Sequence, residues 1–249
     1  MLLENKVAVI YGAGGSIGGA VARSFADEGA MVFLAGRTKA KLEAVADEIH
    51  ANGGAVETKA LDALDQRAVD HFVDEVVEQA GGVDISFNVI GYGDVQEPLL
   101  EIPVEDFLQP ITNAMRTQFL TTRAAARHMV RRGSGVILHF GGGGPQTQPG
   151  LGGFKIALDA IEGLRRQWAV ELGSHGIRVV TLKTGGIPET IPETDPERDN
   201  IINNLLPATL LKRAATLADV GTVAAFVASD QARTITSTEI NISCGAIVD

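Results

Sequence analysis

Residues 11–19 read YGAGGSIGG and lie between two apolar stretches. Glycines at this density permit a tight turn and let backbone amides come close to an anion. A helix starting directly after them adds the partial positive charge of its N-terminus. Such a loop is built to hold phosphate. Other residues to weigh for chemistry include Lys155, Asn113, the tyrosines Tyr11 and Tyr92, His139, Asp94 and the single cysteine, Cys244. Cys244 has no Cys or His near it in sequence and reads as a small packing residue.

The elements that must position these residues follow a regular alternation. KVAVIYG (6–12) reads as a buried strand, and SIGGAVARSFADEGA places Ile17, Val21, Ala22 and Phe25 at helical spacing. MVFLAGR (31–37) is a second strand, followed by the helix KAKLEAVADEIHANGG, which ends at glycines. AVETKALDA, VDISFNVIG, GVILHFG, IRVVTLKTG and STEINISCG read as further strands. The helices between them are QRAVDHFVDEVVEQAGG, a long region over VEDFLQPITNAMRTQFLTTRAAARHMVRRG, FKIALDAIEGLRRQWAVELGSHG and LADVGTVAAFVASD. Pro110 is expected to perturb or start part of the long helix. Strand–helix alternation implies one α/β domain over 1–249, a doubly wound parallel sheet of the Rossmann type covered on both faces. The segment 188–211 is polar and proline-containing, then apolar, and is expected to be an irregular loop covering a substrate.

Composition narrows the function classes. Of 249 residues 45% are apolar and 21% charged, which is globular. The formal net charge of −10, with no long basic run, argues against nucleic acid and anionic membranes as partners. No apolar run approaches spanning length, the first ten residues lack a leader pattern, and one cysteine allows no internal disulfide. The expectation is a soluble cytoplasmic protein acting on a small molecule, with no metal.

The motifs resemble those of the short-chain dehydrogenase/reductase family over essentially the whole length. The family loop T-G-x-x-x-G-x-G corresponds to residues 11–18, with Ser16 at the middle glycine. LDALD, NVIG (88–91), RGSGVILHF, AVELGSHGIRV and ASDQARTITSTEINISCG match further family segments. The resemblance implies a nicotinamide dinucleotide bound by Gly12, Gly15, Ser16, Ile17, Gly18, Asp62, Ala63, Asn88, Gly91, Lys155 and Ile187. Members that bind NAD end the second strand on an acidic residue. Here Gly36 takes that place and Arg37 follows, so the cofactor implied is NADP(H). Family members pair through the helices matching 105–131 and 151–173, which implies a homo-oligomer, dimer or tetramer.

The same resemblance exposes a gap. In the family, a Ser holds the substrate carbonyl, a Tyr gives it a proton, and a Lys four residues on lowers the Tyr pKa and bonds the nicotinamide ribose. LGGFKIALDAIEGL (151–164), laid on Y-S-A-S-K-A-A-L-x-x-L, puts Leu151 at the Tyr and Lys155 at the Lys, while the Ser falls on Gly142 or a neighbouring glycine. The longer Tyr-to-Lys spacing of enoyl reductases puts Gln148 there instead. Asn113 and Lys155 remain of the catalytic set. Tyr92, directly after NVIG, either reaches the substrate as a replacement acid or packs or sits at the rim of the site. His139 is expected to point away from the site by strand alternation, and Phe154 and Trp168 to pack. Three readings follow: an NADP(H)-dependent oxidoreductase with a rearranged site, reducing an activated C=C or C=N bond of an apolar molecule; an NADP(H)-binding protein without turnover, such as a sensor or partner subunit; and, ranked last, a plain carbonyl reductase.

Overall fold

The computed structural model describes residues 1–248. Seven parallel strands form one sheet in the order β3-β2-β1-β4-β5-β6-β7. They are β1 (Val7–Tyr11), β2 (Met31–Gly36), β3 (Val56–Ala60), β4 (Ile85–Asn88), β5 (Gly135–Gly141), β6 (Ile177–Thr184) and β7 (Thr238–Ile242). Every residue of β1 is buried, as a strand covered on both faces requires. The register pairs Tyr11 with Ala35 and Asn88, so the C-terminal ends of β1, β2 and β4 finish level, and the glycine-rich loop leaves from this edge.

Among the described residues the α-helices are α1 (Ser16–Asp27), α2 (Lys39–Ala51), α3 (Gln66–Ala80), α4 (Val104–Arg132), α5 (Gly152–Leu172), α6 (Arg198–Ala208) and α7 (Leu217–Ala228), and all but α6 contribute buried residues. One core joins the sheet to α1, α2 and α7 through residues such as Phe25, Leu42 and Val220. A second joins the opposite face to α3, α4 and α5 through Phe72, Leu120 and Leu172. A third, small cluster of Tyr92, Ala114, Ala157 and Ile161 lies between α4 and α5. No helix of the described residues is long and apolar enough to cross a membrane.

Two sequence expectations change. Pro110 does not interrupt α4, which runs unbroken for 29 residues. Its ring is buried against Gly153 of α5, where a Cβ would lie 3.0 Å from the ring Cγ and would collide with the Phe107 carbonyl. Close helix packing thus offsets the missing hydrogen bond. The segment 188–211 is not irregular throughout: it contains a 3₁₀ turn at Pro188–Thr190 and then α6. No α6 residue is buried, so its sequence carries no core-facing stripe to announce a helix.

Candidate active site

A cleft of about 360 Å³ opens along the C-terminal edge of the sheet. On one side lies the turn after β1. Gly12 has φ of +81°, and a Cβ there would stand 2.7 Å from the Val89 carbonyl oxygen. A Cβ on Gly18 would collide with the Gly12 carbonyl. Only glycine allows this loop to fold so tightly against β4 and α1. The α1 N-cap, Gly15, supplies no side-chain cap, so the first-turn amides keep their donors for an anion. A smaller adjoining cleft, about 160 Å³, is lined by Gly12, Gly15, Ser16, Ile17, Gly18, Val89 and Thr190.

Gly36, Arg37, Thr38 and Lys41 line the far end of the main cleft. Among the described residues neither Arg37 nor Lys41 has a carboxylate within ion-pair distance, although neighbouring Lys39 pairs with Glu43 at 3.2 Å. The α2 N-cap, Thr38, makes no side-chain capping bond. Two cations and an uncapped helix start therefore face the same opening. Asp62 and Ala63 form its floor, with Asp62 Oδ1 accepting from the Leu64 amide at 3.0 Å. Gly91, Gly93, Gln109, Asn113 and Thr117 close the other end.

Gly12, Gly15, Ser16, Ile17, Gly18, Arg37, Asp62, Ala63 and Gly91 are thus brought together along two adjoining clefts. Asn88 and Ile187 are not. Asn88 is 2% exposed; its amide donates to Thr121 Oγ1 at 3.0 Å and its Oδ1 accepts from the Ile90 amide at 3.1 Å, which shapes the turn after β4. Ile187 is buried in the core, and its carbonyl accepts from the Thr190 amide (2.9 Å) and hydroxyl (2.8 Å), setting Thr190 at the smaller cleft. Thr38, Lys41, Gln109, Gly93 and Thr117 were not singled out by the sequence. Lys41 carried a usable signal, since it lies in the first turn of α2, one helical turn beyond Arg37.

Over residues 12–246 the chain matches a family model described as enoyl-(acyl carrier protein) reductase. The chain belongs to the short-chain dehydrogenase/reductase family. It is 31% identical to an uncharacterized oxidoreductase of Bacillus subtilis, over 98% of this chain and 91% of that one. It is 30% identical to the meso-2,3-butanediol dehydrogenase of Serratia marcescens, over 99% and 96%. A crystal structure of a short-chain type dehydrogenase/reductase from Mycobacterium marinum superposes with a TM-score of 0.88 at 29% identity, covering 99% of this chain and 97% of the other. The family is one of oxidoreductases that use a nicotinamide dinucleotide, and the glycine cradle at residues 12–18 fits one.

Two of the catalytic candidates have partners outside the clefts. Tyr92 is 6% exposed, its hydroxyl donates to the Phe140 carbonyl at 2.9 Å, and burial pushes its pKa upward. In this arrangement the phenol is desolvated and its proton is directed at a backbone carbonyl. Lys155 does not line either cleft: its Nζ donates to the Gly144 carbonyl at 2.9 Å and to Asp159 Oδ1 at 2.6 Å. Asn113 lies at the cleft and donates to the Tyr92 carbonyl at 2.9 Å, fixing the turn that carries Tyr92.

Along α5 the face turned toward Tyr92 carries Phe154 and Leu158, which pack with Ala114, Ala157 and Ile161. The Tyr92 and Phe154 ring centroids are 6.3 Å apart. Leu151 stands just ahead of the helix, as its N-cap. At the end of β5, a Cβ on Gly141 would lie 3.0 Å from Leu158 Cδ2 and 3.6 Å from the Tyr92 hydroxyl. Gly142 has φ of +100°, and a Cβ there would stand 2.7 Å from the Lys183 side chain. That lysine is buried and pairs with Glu239 at 2.9 Å. His139 is sealed beneath α4 and α5, its Nε2 3.1 Å from Thr122 Oγ1, with its pKa pushed down to about 3 by burial and then by Arg165.

Proposed function

We propose that this protein binds NADP(H) rather than NAD(H) and acts as an oxidoreductase on an apolar small molecule, reducing an activated C=C or C=N bond. The observation that carries the cofactor reading is the placement of Arg37 and Lys41 together at one end of the main cleft, with Gly36 where a carboxylate would exclude a 2′-phosphate. A guanidinium and an ammonium beside an open helix start suit a phosphate dianion. The first-turn amides of Ser16 and Ile17 would hold the pyrophosphate, Asp62 and Ala63 the adenine, and the Gly91 backbone the adjoining ribose. When bound, the nicotinamide supplies or accepts a hydride.

The chain's own residues do the rest. Asn113 and Thr117 shape the cleft end, since the Thr117 hydroxyl donates to the Asn113 carbonyl at 2.8 Å. Phe154 and Leu158 keep water from the wall behind Tyr92. The segment 188–211, with Ile201 and Leu206 exposed on α6, offers an apolar cover for a substrate. The outer faces of α4 and α5 suit a homo-oligomer. Calorimetric titration tests the cofactor reading. NADPH is expected to bind at least about tenfold tighter than NADH, and Arg37→Ala with Lys41→Ala to remove most of that preference, one charged hydrogen bond being worth about 1.5–3 kcal/mol. Equal affinity for the two nucleotides sinks the reading.

A further inference from the structure

The inner end of the main cleft is closed by the turn Gly91–Gly93, whose two glycines line it and whose Tyr92 backs onto Phe154 and Leu158. Hydride addition to a neutral carbonyl leaves an oxyanion, which must be met by a proton or by strong donors. Each nearby group that could serve is committed elsewhere. The Tyr92 hydroxyl is spent on the Phe140 carbonyl, and Lys155 on Asp159 and Gly144. Lys183 pairs with Glu239, and its stem fills the direction a side chain at 142 would take. Asp94 takes the Gln96 amide at 3.0 Å on the exposed rim. The amides of Asn113 and Gln109 can donate hydrogen bonds but do not give up protons at ordinary pH.

We propose that the acceptor handled at this end of the cleft arrives already positively charged, as an iminium ion of the N-alkylated cyclic imine type. The inference rests on the nicotinamide reading above. The balance closes without an acid: a hydride supplied by the reduced nicotinamide forms the new C–H bond at the iminium carbon, the C=N π pair becomes a nitrogen lone pair, and no proton is consumed. One positive charge exists before and after. A ketone would instead create an anion and a cation together at a cleft end lined by Gly91, Gly93, Gln109, Asn113 and Thr117, none of them charged, where separated charge is expensive. Tyr92 and Phe154 pack behind this turn and are not among the residues lining the cleft.

The test uses the full chain and three N-methyl cyclic iminium salts of one or two rings, N-methyl-3,4-dihydroisoquinolinium among them, each against its ketone counterpart. Calorimetry with a tetrahydronicotinamide analogue that cannot release hydride reads binding without turnover. The salt is expected to bind tighter than the ketone by about threefold or more. With NADPH, the salt is expected to be reduced at least about a hundredfold faster than the ketone, the factor a missing acid withholds. Its rate should be level from pH 6 to 9. Ketone binding as tight as the salt, ketone reduction of equal rate, or no turnover of any salt by protein that binds NADPH overturns the proposal. Absence of NADPH binding overturns the cofactor reading instead.

Discussion

Tyr92 illustrates how a residue of suitable chemistry is withdrawn from it by its surroundings. Position alone, directly after the turn that closes the cleft, makes it the natural substitute acid. Its hydroxyl, however, points inward to the Phe140 carbonyl, with the Gln118 amide beside it. That arrangement is structural, and it makes a prediction opposite to the one a catalytic phenol would make. Tyr92→Phe is expected to lower stability by about 1 kcal/mol, through a lost buried hydrogen bond and a carbonyl left without its donor. The melting temperature should fall by roughly 2–4 °C for a chain of this size. NADPH affinity and the pH dependence of turnover should stay as they were. Thermal denaturation beside NADPH titration checks this. A collapse of turnover at an unchanged melting temperature would return the hydroxyl to the reaction.

At the scale of elements, β5, α4 and α5 meet around His139, and this junction should govern acid stability. The groups facing the imidazole are Thr122 from α4 and Arg165 from α5, with Glu162 bonded to Arg165 at 2.7 Å. Burial and Arg165 take its pKa from 6.5 to about 3, so the folded protein keeps it neutral while the unfolded chain charges it. Stability is then full above pH 6.5 and falls as the pH drops from 6.5 toward 3. The slope is up to about 1.4 kcal/mol per pH unit. Glu162 works against this trend: burial raises its pKa, so the stability linked to it is present at low pH and lost as the pH rises through its folded value. His139→Gln is expected to be less stable than the parent at pH 7, and the gap to narrow by about 2 kcal/mol at pH 5. Urea unfolding at both pH values reads this directly; an unchanged gap would mean that the imidazole does not titrate between states.

The same elements explain which features could be read from sequence. Buried strands such as VAVIY and amphipathic helices such as α3 announce themselves by composition and period, so the alternation and the parallel sheet were legible. The glycine-rich turn was legible because its glycines fall at a strand–helix junction. The register of α5 was not. Leu151, Lys155 and Phe154, Leu158 form i,i+4 pairs less than one turn apart, and nothing in a 3.6-residue period says which pair faces Tyr92. Three-dimensional packing decides it, through Gly153 pressed against the Phe107 carbonyl. The Lys183–Glu239 pair was likewise hidden, because it joins β6 to β7 across many intervening residues.

For the molecule as a whole, the exposed apolar side chains bear on the proposed homo-oligomer. Leu108 and Phe119 on α4, and Ile156 and Val170 on α5, are 43–80% exposed, although the two helices also supply much of the inner core. Phe119 stacks on Trp168 at 5.7 Å, with the Arg123 guanidinium 5.7 Å from the Phe119 ring centroid, so this outer face already has an ordered aromatic platform. Apolar surface of this kind on a chain with net charge −10 is costly to leave in water, and the charge itself discourages loose aggregation in favour of one specific contact. Sedimentation at micromolar protein is expected to show a dimer or tetramer. Because association stabilises only the folded chain, the melting temperature should climb with protein concentration. Phe119→Glu combined with Val170→Glu should yield monomers, with a melting temperature that no longer depends on concentration and is lower by several degrees. NADPH binding should survive in these monomers, since Arg37, Lys41 and the glycine loop all belong to one chain. A parent protein that sediments as a monomer at about 100 μM, a concentration at which micromolar contacts are fully formed, would show that these side chains face solvent for some other purpose.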